Sequence, residues 1–584
     1  LKNLPVLRIN VLKYLCSFVD KFYLFLACYY FNFTMASQLL KIHPSDNVIV
    51  ALRDLPPGTE ADWAGQHYSL QYGVSAKHKF VTEDIEAGGA IIMYGVLVGR
   101  ATQPIKRGEP ITTFNLKHDS QDYSTANRQP YSYTQPDVSK WQGRTFRGYH
   151  REDGRVGTYN YWLVVPLVFC ENRNVLIMKD AFERELGYAQ TDIYREHVRE
   201  FLHLYQAGDM RRLKSLENFT EQAPAAKKLH RPFANVDGVK FLTHEGGCGG
   251  TRADANTLCS LFAAYAVHPN VAGITVLSLG CQNSELKTLE DEIKKRDPHF
   301  NKPFFAFEHQ KGTEYSLMSG AIKETFMGLT KINEFERSDA PLSKLSVGLK
   351  CGGSDGFSGI SANPVLGHLS DLVVGLGGQT LLAEFPELNG VEQELLNRCV
   401  TEEKAAKFEK LMRDYAGKAE AVGSAFAFNP SPGNIKDGLI TDAIKSAGAA
   451  RKGGNAYVSD VLNYTERATE PGLQLVCTPG NDVEATTGQT AAGANIILFT
   501  TGLGTPTGNP ICPVAKVATN TILANRMPDV IDFDCGSVVD GTQSLEQNAE
   551  DLLEYVIKVA SGELTKAQQL GQDDFIPWKR GVSL

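Results

Sequence analysis

Phe241-Leu242-Thr243-His244-Glu245-Gly246-Gly247-Cys248-Gly249-Gly250 is the stretch that decides the fold. A short apolar run enters a glycine-rich turn, and a helical apolar pattern over 254–266 leaves it. Ile274-Thr275-Val276-Leu277-Ser278-Leu279 follows and runs into Gly280-Cys281-Gln282-Asn283. Strand, glycine-rich turn, helix, strand is the grammar of a parallel α/β sheet. Ligands of such sheets bind beyond the carboxyl ends of the strands, and both cysteines fall at that edge.

The same pattern extends outward. Tyr161-Trp162-Leu163-Val164-Val165 reads as a buried parallel strand, with helices expected around 181–188 and 194–206. Lys344-Leu345-Ser346-Val347-Gly348-Leu349 leads into a third cysteine turn, Lys350-Cys351-Gly352-Gly353-Ser354-Asp355-Gly356. Thr380-Leu381-Leu382-Ala383 leads into Glu384-Phe385-Pro386-Glu387, and Ile496-Ile497-Leu498-Phe499-Thr500-Thr501 into Gly502-Leu503-Gly504-Thr505-Pro506. The last helix is expected near 545–561. The fold class is therefore α/β, with two Rossmann-like, largely parallel regions at 141–340 and 341–584. Before them, 36–118 reads as a small β-rich module of short strands and glycine turns. Residues 119–140 lack periodicity and read as a linker.

The chain has 584 residues, too many for one core, and 42% hydrophobic with 22% charged residues excludes disorder. A formal charge of −8 disfavours nucleic-acid or anionic-membrane partners. Eleven cysteines with no CxxC pair make neither a disulfide framework nor a zinc ribbon, and fit a cytoplasmic enzyme. The first methionine is Met35. The apolar stretch 11–33 is interrupted by Lys13, Asp20 and Lys21, so 1–34 reads as upstream sequence rather than an anchor.

Three widely spaced thiols in glycine turns suggest one pocket built from several loops. Cys248, Cys281 and Cys351 would offer a soft ligand set for iron or zinc with one position open to substrate, or for an iron–sulfur cluster with one open iron. The plain alternative is three small buried cysteines at strand ends. His244, on the first turn, is a candidate base, and His78 one from the β module. Lys350, Ser354 and Asp355, with Asn481 and Asp482 in a second turn, offer charge and donors for an anionic, hydroxylated substrate. Glu384 and Glu387 flank a proline and read either as general acid/base machinery or, more plainly, as a solvated loop edge.

Several motifs carry a resemblance. Lys41-Ile42-His43-Pro44-Ser45-Asp46-Asn47-Val48, Gly154-Arg155-Val156-Gly157, His268-Pro269-Asn270-Val271, the Cys351 turn, Asn429-Pro430-Ser431-Pro432-Gly433-Asn434 and the closing Gly581-Val582-Ser583-Leu584 resemble the altronate/galactarate dehydratase family. The resemblance runs from about residue 36 to the end. It implies a SAF-type N-terminal domain and a two-part catalytic region. It also implies loss of water from D-altronate to give 2-dehydro-3-deoxy-D-gluconate in hexuronate breakdown, with Fe2+ or Mn2+. Cys248, Cys281 and Cys351 fall on cysteine positions of the family pattern. One departure stands out: where the family often carries His-x-His-Asn, this chain reads Thr112-Thr113-Phe114-Asn115.

The expected mechanism removes the C2 proton and expels the C3 hydroxyl, with His78 and His244 as acid and base. Lys350, Ser354, Asp355, Asn481 and Asp482 would bind substrate, and Cys248, Cys281 and Cys351 the metal. The expected partner is a small sugar acid and the expected assembly a homo-oligomer. Galactarate is the alternative substrate, and a non-catalytic sugar-acid-binding protein the alternative from another class.

Overall fold

The computed structural model describes residues 38–189, 193–216, 231–581 and 583, so the expectations for 1–34 lie outside the described residues. Two parallel sheets organise the catalytic regions. The first orders Gly238–Phe241, Tyr161–Pro166, Val271–Ser278 and Phe304–Glu308. The second has seven strands, with Ser346–Cys351 in the middle between Gln379–Leu382 and Ile496–Thr501. Tyr161–Pro166, Val271–Ser278 and Ser346–Cys351 are buried at every position. That burial explains their unbroken apolar runs: helices cover both faces of a parallel sheet.

An antiparallel pairing of Thr145–His150 with Ser338–Pro341 brackets the first region, so its two ends leave side by side. The N-terminal module is β-rich, with three small antiparallel groupings of strands. A hairpin of Thr59–Trp63 with Gln66–Leu70 was not legible in the sequence. Its turn residues Ala64 and Gly65 both take positive φ, 49° and 77°, but without the Asn-Gly pair that advertises such a turn.

Other boundaries shift for physical reasons. The helix expected around 181–188 spans Asn172–Glu185, where Val175, Met178 and Phe182 bury one face. Residues 119–140 hold the 3-10 turn Thr125–Asn127 and the start of Ser139–Trp141, and they are fastened down. Thr125 N–H donates to Glu409 at 2.8 Å, Arg128 Nε to Leu396 O at 2.9 Å and Tyr131 Oη to Asn455 O at 2.7 Å.

Candidate active site

Cys351 closes the central strand of the seven-stranded sheet, and around it lies a buried chain of charges. Lys350 Nζ donates to a Glu384 carboxylate oxygen, to Asp482 Oδ1 at 2.9 Å and to Cys351 O at 2.6 Å. Lys452 Nζ donates to Cys351 Sγ at 2.6 Å and to the other Glu384 oxygen at 2.9 Å. The Cys351 thiol donates to Glu387 at 3.1 Å, and Lys445 holds the far oxygen of Glu387 at 2.8 Å. Lys350, Cys351, Glu384, Glu387, Lys445 and Lys452 are all buried. The expected solvated edge at Glu384 and Glu387 is thus corrected. Their lysine partners come from strand ends and helices far away in sequence.

Burial opposes the charge on each lysine. It is outweighed by Glu384 at Lys350, by Glu387 at Lys445, and by Cys351 and Glu384 at Lys452, so all three stay protonated. Burial also opposes ionisation of Glu387, yet Lys445, Lys452 and Lys350 hold its carboxyl down to about 2. Burial, then Glu384 and Glu387, push the Cys351 thiol up to about 12. Glu384 sits at φ 72°, a left-handed conformation rare for a side-chain-bearing residue. Such strain is kept where the surroundings over-determine it.

Cys351 Sγ and one oxygen from each glutamate lie within 4.8 Å of one another, close enough to share an ion. Their charge is already matched, however. Three ammonium groups contact these atoms, and a divalent cation placed there would face all three at short range. The donor set therefore does not fit a metal ion.

Beside this chain opens a cavity of about 650 Å³ at the carboxyl edge of the four-stranded sheet. Cys248, Asn172, Asn283, Asp254, Glu484 and Lys579 are among its walls. Helix Asp482–Ala492 joins the two places: Asp482 pairs with Lys350, and Glu484 on the same first turn lines the cavity. Burial raises the Glu484 carboxyl above its ordinary range.

The other expected site residues fall as follows. His244 lines the cavity, but both ring nitrogens are engaged: Nε2 donates to Pro166 O at 2.8 Å and Nδ1 accepts from Gly246 N–H at 2.9 Å. Burial lowers its pKa to about 4. It clamps the cysteine turn as a neutral ring. His78 pairs with Lys436 O at 3.1 Å, and burial lowers its pKa. Asp355 accepts from Ser358 Oγ at 3.1 Å and pairs at 3.0 Å with Lys77 of the β module, so its carboxylate docks two domains. Ser354 is buried, and its carbonyl accepts from Asn434 Nδ2 at 2.8 Å. Asn481 caps helix Asp482–Ala492 through Val483 and Glu484 N–H.

Among the described residues the three expected metal thiols do not all lie within 4.8 Å of one another. Cys351 is buried in the charge chain, whereas Cys248 and Cys281 are exposed at the other sheet. Sequence reasoning missed Lys445, Lys452 and Glu484. Their chemistry lies in cross-chain contacts, and no local motif marks them.

A parallel α/β fold with buried acid and base groups beside a cavity of this size suits an enzyme acting on a small polar substrate. The comparisons agree. Residues 37–119 match the altronate/galactarate dehydratase SAF domain, 148–333 the second domain of D-galactarate dehydratase/altronate hydrolase, and 342–583 the C-terminal domain of D-galactarate/altronate dehydratase. An altronate dehydratase of Bacillus subtilis (strain 168) is 35% identical over 94% of this chain and 100% of its own. An altronate dehydratase of Escherichia coli (strain K12) is 31% identical over 94% and 100%. A galactarate dehydratase (L-threo-forming) of the same strain is 30% identical over 91% and 94%. The chain belongs to the altronate/galactarate dehydratase family. Among the described residues no helix is long and apolar enough to cross a membrane.

Proposed function

We propose that the protein removes water from D-altronate to give 2-dehydro-3-deoxy-D-gluconate, a step in hexuronate breakdown. The observation that carries this reading is the buried run from Asp482 through Lys350, Glu384, Lys452 and Cys351 to Glu387 and Lys445, set behind the cavity wall. Loss of water next to a carboxylate needs a base for the C2 proton, positive charge for the enediolate and an acid for the departing C3 hydroxyl. Glu384, wholly buried between two ammonium groups, fixes their charge behind the wall. Lys350 and Lys452 carry the positive charge without reorganising. Glu484, raised by burial on the cavity side, supplies the acid. These roles replace His78 and His244, whose Nε2 atoms meet the Lys436 and Pro166 carbonyls.

Galactarate is the second reading, favoured by Lys579 on the cavity wall, a further cation for a second carboxylate. Comparing kcat/KM for the two acids by release of the 2-keto-3-deoxy product separates them. Altronate at least tenfold ahead supports the first reading, and galactarate ahead would replace it.

A further inference from the structure

From Asp573 the chain runs as a strap between the two catalytic regions. Asp573 holds Lys240 of the four-stranded sheet at 2.8 Å, and Asp574 accepts from Gly508 N–H of the other region at 2.8 Å. Phe575 stacks on Phe262, ring centroids 6.0 Å apart, while Ile576 N–H donates to Thr487 Oγ1 at 3.3 Å. Trp578 N–H donates to Tyr464 Oη at 3.0 Å, and Arg580 lies 4.1 Å over the Trp578 ring. Asp254 receives the strap on the first region: Oδ1 accepts from Arg580 N–H at 2.9 Å and from Gly581 N–H at 3.1 Å. The fit there is close, since a Cβ at Gly581 would stand 2.3 Å from Asp254 Oδ2. Ser583 pairs with Gly250 in the Cys248 turn.

The strap forms part of the cavity wall, from Phe575 to Lys579 and again at Ser583. Its anchored neighbours Trp578 and Arg580 present Lys579 to the cavity. Among the described residues that line the cavity, Lys579 is the one cation, facing Glu245, Asp254 and Glu484, because His244 is neutral. Among the described residues its ammonium has no carboxylate partner; it donates to Ser583 Oγ at 2.6 Å. The ammonium therefore rests on the Gly250 side, against the first region, while Glu484 stands on a helix of the second.

We propose that this strap is the specificity element of the cavity, and that Lys579 reads the end of the sugar acid remote from its reacting carbons. The inference rests on the dehydratase reading, in which Glu484 serves the C3 hydroxyl and so places that part of the substrate at the second region. A six-carbon acid laid across the cavity from there brings C6 toward Lys579. A neutral CH2OH end leaves the ammonium on Ser583. A second carboxylate draws it off Ser583 into a charge-assisted pair, on a wall whose other charged groups are acids. Without that ammonium the same acids repel a C6 carboxylate. Lys579 thus sets how well the cavity accepts a diacid beside a monoacid.

Affinities of the full chain for D-altronate and galactarate would be measured by stopped-flow tryptophan fluorescence, before product accumulates. Lys579→Met is expected to move the galactarate-to-altronate affinity ratio at least about tenfold toward altronate. Lys579→Arg, which keeps the charge, should hold the ratio within about threefold of the parent. Ser583→Ala frees the ammonium and should move it about threefold the other way. A purely structural role would weaken both acids alike. Both side chains are exposed, and near-ultraviolet circular dichroism selects the folded variants. An unmoved ratio in folded Lys579→Met, a shift toward altronate in Ser583→Ala, or a parent that does not bind galactarate would overturn the proposal. Shifted ratios without turnover of either acid would support it and remove the dehydratase reading instead. Turnover with an unmoved ratio would do the reverse.

Discussion

Lys452 Nζ lies 2.6 Å from the sulfur of Cys351, and neither side chain reaches solvent. A neighbouring cation ordinarily favours the thiolate. Here burial, together with Glu384 and Glu387, wins and holds the thiol up at about 12. Cys351 is therefore a hydrogen-bond donor to Glu387 at neutral pH and not a nucleophile. In metal-free native protein, iodoacetamide should modify Cys170, Cys248 and Cys281 while sparing Cys351, as read by peptide mass mapping. Rapid alkylation of Cys351 in the folded chain would contradict this.

Glu387 links the same cluster to acid stability. Its folded pKa, about 2, lies below its ordinary value of 4.5. A depressed carboxyl contributes stability that is fully present above 4.5 and lost as pH falls toward 2. Between those values the unfolded chain binds about one more proton, so this group alone gives a slope of about 1.4 kcal/mol per pH unit. Urea midpoints across that window should fall less steeply in Glu387→Gln than in the parent. Parallel slopes would mean that the lysines do not hold this carboxylate.

The β module docks by charge. Lys77 reaches the fully buried Asp355 at 3.0 Å and Asp437 at 3.1 Å. Lys77→Met leaves Asp355 without its cation, a loss expected to cost about 3 kcal/mol. Limited proteolysis should then release the module early. Unchanged resistance would show that the apolar contacts suffice.

His244 should remain a neutral ring from pH 5 to 8, with no imidazole titration in that range by NMR, since burial holds its pKa near 4. Its Pro166 and Gly246 hydrogen bonds predict that His244→Ala loses about 2 kcal/mol. A kcat profile in the parent that titrates with His244 would return this ring to the catalytic role.

The sequence showed what depends on local pattern. Apolar runs marked the parallel strands, and glycine turns marked Cys248, Cys281 and Cys351. It could not separate Cys351 from the other two, because the same turn chemistry ends strands of two different sheets. Glu384 and Glu387 looked solvated because the lysines that neutralise them, Lys445 and Lys452, come from beyond a 20-residue helix, Glu402–Ala421. Buried charge is legible only when its partners are known.

The most direct test of the central claim is release of 2-keto-3-deoxy acid from D-altronate, followed with the purified protein and with folded Glu384→Gln side by side. The account predicts steady turnover by the parent and a loss of at least about 100-fold in kcat for the variant, with folding intact. Turnover at the parent rate in Glu384→Gln, or none by the parent on altronate or galactarate, would contradict it.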